Sequence, residues 1–246
     1  MTQPSQGILY GLGVGPGDPD LMTLKAVKVL QSVRVVFAAR SSKNEHSIAL
    51  DAARPHMPAD TVIKTLAFPM IRERDALEAA WAANADAVLE ELNAGRDAAF
   101  LTLGDPLTYS TFGYLLEAVR SRAPEVSIQT IPGITAYQAA AARLNLPLAQ
   151  GEESLTVVPG VTDPERLKEL AAKGDNLVVL KAYRNFSELR QALSDLDLSE
   201  KAWLVSRLGL DGESVIQDLA AVNGRIPPYL SLLIAKRYGA QTLEQR

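Results

Sequence analysis

From Ile8 to Ile131, short apolar runs alternate with longer amphipathic stretches, and few folds accommodate that order. The runs at Ile8–Gly13, Val33–Ala38, Thr61–Leu66, Ala98–Leu103 and Val126–Ile131 are too short for helices and read as strands. Helices are predicted at Asp20–Ser32, Ser47–Arg54, Arg74–Asn93 and Ser110–Arg122. In the longest of them, Leu77, Trp81, Val88 and Leu92 recur near the helical period, and Gly95 supplies the stop. Strands that alternate with helices of this length build parallel-rich α/β layers.

The second half continues the alternation with a different texture. Strands are predicted at Leu155–Pro159, Leu177–Lys181 and Lys201–Ser206. Helices are predicted at Pro164–Lys173, started by Asp163 with Pro164 in the first position, and at Phe186–Leu196. Ser214–Leu219 and Tyr229–Lys236 then read as strands with no helix between them, Asn223 and Gly224 making the intervening turn. This order implies a mixed sheet. The 246 residues thus divide into an N-terminal α/β domain at 1–133 and a C-terminal α/β domain at 134–246.

Composition excludes several chemistries. The chain has no cysteine, so disulfides, thiolate metal sites and a cysteine nucleophile are ruled out. His46 and His56 alone could offer imidazole, and their spacing is poor for a metal, so no metal site is expected. The net charge of −4 comes without a basic stripe, which argues against a nucleic-acid partner. No apolar run approaches the ~20 residues of a membrane span, and the start has no signal-peptide pattern. No membrane association is expected, and the expected location is cytoplasmic.

Two loops at strand ends carry the functional signal. The first, Gly11–Pro19, has glycine at 11, 13, 15 and 17. A G-x-G-x-x-G reading fails, because the required glycines fall on Pro16 and Asp18. No G-x-x-x-x-G-K-[ST] is present, and Pro16 and Pro19 lack the N–H groups an anion cradle uses. The second loop, Gly104–Thr111, joins a strand to a helix, at the carboxyl edge where ligands of open α/β sheets bind. Pro132–Ala136 is a third such element, leading into an alanine-rich helix.

Gly13–Pro19, Gly104–Pro106 and Pro132–Ala136 together resemble the signature set of the tetrapyrrole methylases, and the resemblance spans essentially the whole chain. Phe68–Arg72, Leu107–Phe112, Gln138–Leu148 and Pro228–Leu232 look like the branch of that family that methylates C20 of precorrin-2 or of cobalt-factor II. The resemblance implies two α/β domains with S-adenosylmethionine in the cleft between them, and a homodimer. Carried over by position, cofactor contacts come from Pro16, Leu103, Gly104, Asp105, Thr108, Ser110, Thr111, Ile134, Thr135 and Ala136. The second domain adds Lys181, Leu208, Ser231 and Leu232. Leu180 stands where many members have methionine, which puts the contact at Lys181 in doubt beyond its backbone.

Methyl transfer from a sulfonium is an in-line displacement, for which near-attack positioning suffices. No covalent intermediate on the protein is needed. Asp105 and Tyr109 are the candidate catalytic residues for loss of the proton from the methylated carbon, with Asp105 favoured as an orienting group and Tyr109 equally readable as packing. Amides near Thr135–Ala136 suit the cofactor carboxylate. A carboxylate-rich macrocycle calls for cations, and Arg40, Lys43, Arg72 and Arg74 follow strands at the same edge as the glycine loops. Arg184 and Arg207 are lesser candidates, and Trp81 reads as core or as a dimer contact. The competitors are methylases of uroporphyrinogen III, of a translation-factor histidine derivative or of ribosomal RNA, a nicotinamide-dependent oxidoreductase, which fails at the missing G-x-G-x-x-G, and a tetrapyrrole carrier without catalysis. The acidic balance disfavours RNA. A carrier without catalysis stays open as an alternative, although a full set of cofactor loops would be an odd thing for it to keep.

Overall fold

The computed structural model describes residues 6–40, 47–69, 71, 73–160, 163–217, 219–222 and 226–237. Its chain divides into two compact units, Met1–Thr135 and Ala136–Arg246.

The first unit holds β1 (Leu9–Gly13), α1 (Leu24–Ser32), β2 (Val35–Arg40), α2 (Ile48–Ala53), β3 (Val62–Ala67), α3 (Arg74–Asn93), β4 (Ala98–Thr102), α4 (Phe112–Arg122) and β5 (Ile128–Ile131). All five strands are parallel, in the order β3-β2-β4-β1-β5. The two-residue period sends alternate side chains to opposite faces. Leu9, Phe37 and Phe100 meet α3 and α4, whereas Leu12, Val36, Ala99 and Leu101 meet α1 and α2. Both faces are therefore covered, which is why these strands read as near-continuous apolar runs. The chain leaves β1 toward β2 and leaves β4 toward β5, in opposite directions along the sheet. A crevice opens at such a reversal, outside the carboxyl ends of β1 and β4.

One helix starts later than predicted. Instead of running from Asp20, the chain makes a 3-10 turn at Pro19–Leu21, capped by the Asp18 side chain, and α1 starts anew behind Thr23. Thr23 Oγ1 accepts from the Ala26 N–H at 3.2 Å. Two capping residues in close succession end one turn and begin another. At the far end of α3, Gly95 takes a φ of 74°. Gly95 N donates to Leu92 O and Arg96 N to Glu91 O, the paired bonds of a Schellman stop.

The buried Glu91 on α3 accepts from Arg96 Nε at 2.5 Å and also pairs with Lys64 of β3. These two bonds, Arg96 first and Lys64 second, hold its carboxyl below the ordinary glutamate value. A carboxyl lowered in the folded state contributes stability above its unfolded pKa, and the contribution is lost as pH falls through the folded value. Urea titration of Glu91→Gln should show a loss of about 1–3 kcal/mol at neutral pH. The difference from the parent should shrink in acid; a difference that grows there would contradict the account.

The second unit holds α5 (Ala136–Leu144), β6 (Leu155–Pro159), α6 (Pro164–Lys173), β7 (Asn176–Leu180), α7 (Phe186–Ser194), β8 (Ala202–Ser206), β9 (Ser214–Gln217) and β10 (Ser231–Lys236). Its sheet is mixed, in the order β6-β7-β10-β8-β9, with β10 antiparallel to both neighbours. Helices α6 and α7 cover one face through Leu167, Leu189 and Leu193, and α5 packs on Val178, Val205 and Ile234 of the other. Buried Lys236 donates to Pro147 O at 2.6 Å and lies 3.4 Å from Glu153, tying the segment after α5 to the sheet.

The strand predicted to reach Leu219 stops at Gln217, and Leu219–Val222 forms a 3-10 turn that buries Leu219 and Val222. Residues three apart share a face in that helix, which a strand would send to opposite sides. Asn223 and Gly224 lie outside the described residues, and β9 and β10 are separated in the sheet by β8.

Candidate functional site

The carboxyl ends of β4, β1 and β5 are adjacent, so their three loops meet. Gly104 N donates to Gly15 O at 2.6 Å, and Val14 N donates to Thr102 O at 2.9 Å. A Cβ on Gly13 would stand 2.6 Å from Gly133, and one on Gly133 would stand 2.1 Å from Gly104 O. No side chain fits at either position. Gly104 is different. Its φ of 76° demands glycine, yet a Cβ there would meet nothing closer than Ile134 O and Thr135 Cα, both at 4.0 Å. Two of the glycines close the backbones together, and the third leaves space beside them.

Asp105 fastens the cluster. Its Oδ1 accepts from Leu107 N at 2.9 Å and from Thr108 Oγ1 at 3.2 Å, while Oδ2 accepts from Gly133 N at 3.1 Å. The carboxylate is thus held by its own loop and by the next one. Ser110 Oγ accepts from Phe112 N at 3.0 Å at the start of α4, and lies 3.4 Å from Thr102 Oγ1. Between them Tyr109 has a φ of 51° and is half exposed. A left-handed conformation in a residue with a Cβ is costly, and such positions persist where surrounding bonds over-determine them.

Gly11 belongs to another account. A Cβ there would stand 2.2 Å from the Phe112 ring, so this glycine serves core packing in β1 and not the approach of a ligand. His56, set aside above as a weak metal ligand, has Nε2 3.1 Å from Pro19 O and so braces the end of the first loop. That contact spans 37 residues, and nothing in its local pattern announces it.

Of the four predicted substrate cations, two can be placed. Arg40 ends β2, two residues beyond Ala38, which pairs with Leu101 of β4; its side chain is therefore level with Leu103, and it is exposed. Arg74 opens α3, where Nε bonds Glu78 at 2.7 Å on the exposed surface. Lys43 and Arg72 lie outside the described residues.

In the second unit the antiparallel course of β10 brings its first residues to the carboxyl ends of β7 and β8. Leu232 pairs with Leu180 and Ser231 with Ser206, so Lys181, Leu208, Ser231 and Leu232 gather at one edge of that sheet. Buried Ser206 and Ser231 share a hydrogen bond at 2.8 Å, and Ser231 donates to Pro228 O at 2.7 Å. Lys181 and Arg207 both adopt positive φ, 56° and 52°. The loop after β8 is closed by Glu213, which accepts from Gly209 N at 2.9 Å and pairs with Arg143 at 2.8 Å. Sequence reading missed Ser206 and Glu213, whose partners lie on other elements.

Among the described residues no group of three or more histidine, aspartate or glutamate side chains could hold a metal ion. Residues 8–222 match the model of the tetrapyrrole (corrin/porphyrin) methylases. The chain belongs to that family. It is 34% identical to the cobalt-precorrin-2 C(20)-methyltransferase of Salmonella typhimurium, over 94% of this chain and 97% of that one. It is likewise 34% identical to the precorrin-2 C(20)-methyltransferase of a Sinorhizobium species, covering 95% and 97%. Among solved structures, the uroporphyrin-III C-methyltransferase of Thermus thermophilus superposes with a TM-score of 0.62 at 27% identity, covering 94% of this chain and 92% of that one. No helix among the described residues is long and apolar enough to cross a membrane.

Proposed function

We propose that this protein is an S-adenosylmethionine-dependent methyltransferase that acts on C20 of precorrin-2 or its cobalt complex, in assembly of the corrin ring of cobalamin. The observation that carries the reading is identity of 34% to two proteins of that name over nearly the full length of all three chains. The cofactor, when bound, supplies an activated methyl group on sulfur.

The chain's own residues fit that cofactor. Glycine at 104 leaves room for no more than a methyl group beside Ile134 O and Thr135 Cα, and locked glycines at 13 and 133 keep the surrounding carbonyls and amides fixed. Fixed dipoles of this kind need no reorganisation as charge moves during transfer. Pro16, Leu103–Asp105, Thr108, Ser110, Thr111 and Ile134–Ala136 are the proposed cofactor contacts, together with Lys181, Leu208, Ser231 and Leu232. Asp105 holds the loop in place, and Tyr109 is the candidate to handle the proton released from the substrate carbon. Arg40 is the substrate cation supported by placement, because it stands level with Leu103; Lys43, Arg72 and Arg74 are proposed with it. A cytoplasmic homodimer completes the reading.

The test is incubation with methyl-labelled S-adenosylmethionine and, separately, precorrin-2, cobalt-precorrin-2 and uroporphyrinogen III, followed by NMR location of the label. Label at C20 is expected with the first, the second or both. Label at C2 or C7 of uroporphyrinogen III and none at C20 would overturn the assignment.

A further inference from the structure

The turn that follows β7 builds a feature that the cofactor contacts leave unused. Lys181 and Asn185 both have positive φ, 56° and 48°, and so pinch the chain between them. Ala182 is buried and donates its N–H to Ser231 O at 2.9 Å, which fixes the turn to the start of β10. Tyr183 and Arg184 are thereby carried outward. The Tyr183 ring lies 5.2 Å from that of Tyr229 at 47°, and Arg184 sits 5.7 Å from the Tyr183 ring centre. Arg184 Nε also donates to the Tyr183 hydroxyl at 3.0 Å. Tyr229 is held in turn by the bond from Ser231 to Pro228 O, yet remains 48% exposed.

Charge gives the cluster its direction. Among the described residues no carboxylate lies within ion-pair distance of Arg184 or of Lys181. A guanidinium oriented by a phenol and backed by a second aromatic ring is preorganised for a planar anion. A flat macrocycle with several carboxylate arms satisfies both the rings and the cations.

We infer that Tyr183, Arg184 and Tyr229 form a subsite that grips a carboxylate arm and the adjoining ring edge of the tetrapyrrole substrate. This rests on the function proposed above and adds specificity residues to it. The experiment compares Arg184→Gln, Arg184→Lys and Tyr229→Ala with the parent. It measures KM for precorrin-2, its Kd for protein loaded with S-adenosylhomocysteine, and the Kd of S-adenosylmethionine by calorimetry. Loss of a charge-assisted bond to a carboxylate should raise KM and Kd for the tetrapyrrole about tenfold or more in Arg184→Gln. Arg184→Lys should recover part of the loss, and the cofactor Kd should stay within about twofold of the parent.

Tyr183→Phe keeps the ring and removes only the hydroxyl that orients Arg184, so it covers the case in which Tyr229→Ala fails to fold. Its tetrapyrrole Kd should rise by about threefold, less than in Arg184→Gln. Unchanged tetrapyrrole affinity in folded Arg184→Gln would overturn the inference, as would a raised cofactor Kd in place of it. Parent protein that transfers no methyl group to any tetrapyrrole would instead refute the proposed function, so the two failures are distinguishable.

Discussion

Gly133→Ala should abolish cofactor binding and strongly destabilise the first unit, whereas Gly104→Ala should abolish binding at a smaller cost in stability. The added methyl at 133 would stand 2.1 Å from Gly104 O and 2.8 Å from Gly13 Cα, and both neighbours are backbone atoms tied into the loops. The loops after β1, β4 and β5 would have to part, at a cost of about 3 kcal/mol or more. At Gly104 the same methyl meets nothing nearer than 4.0 Å, so the cost is that of an alanine at a φ of 76°, roughly 1–2 kcal/mol. Yet that methyl enters the space proposed for the ligand. Calorimetric titration with S-adenosylmethionine should show affinity reduced about a hundredfold or more in both variants. Thermal unfolding should separate them. Full affinity in Gly104→Ala would remove the ligand from that face.

Asp105→Asn should be the second most damaging change, and its pattern distinguishes positioning from proton transfer. Oδ1 can still accept from Leu107 N and Thr108 Oγ1, but the new amide group then faces the Gly133 N–H, donor against donor. Losing this link between loops, with the partly buried donor left unmet, costs about 1–3 kcal/mol. Most of that should appear as weaker cofactor binding, a rise in Kd of roughly tenfold to a hundredfold. The rate at saturating cofactor should change much less. A collapsed kcat with Kd unchanged would instead make Asp105 the proton acceptor.

Much of this architecture was legible because its signals are local. Helix α3 and helix α6 have the predicted bounds, since Gly95 and the Asp163-Pro164 pair mark their ends within a few residues. The first helix was misjudged for a local reason too, because Asp18 and Thr23 are both caps and an apolar pattern runs through the turn between them. What could not be read is whatever depends on a neighbour far along the chain. Four glycines at alternate positions look equivalent, but Gly11 packs on Phe112, Gly13 on Gly133 and Gly15 on Leu21. Asp105 was visible as a loop residue, and its bond to Gly133 was not, because that bond spans 28 positions. Arg184 and Arg207 looked alike in sequence. The structure turns one onto an aromatic pair and gives the other's Nε to the carbonyl of Asp211.

The place of β10 bears on how the protein is made. Strands β7 and β8 are synthesised with no direct pairing to each other, and the strand that joins them is drawn from residues 231–236. A nascent chain that has emerged only as far as β9 therefore carries two half-sheets, each with an open edge, while the first unit already possesses all five of its strands. Domains fold as units from the N-terminus during translation, and unpaired strand edges are where misassembly begins. The sheet of the second unit is therefore complete only once Ser231–Lys236 has been made and lies between its two partners.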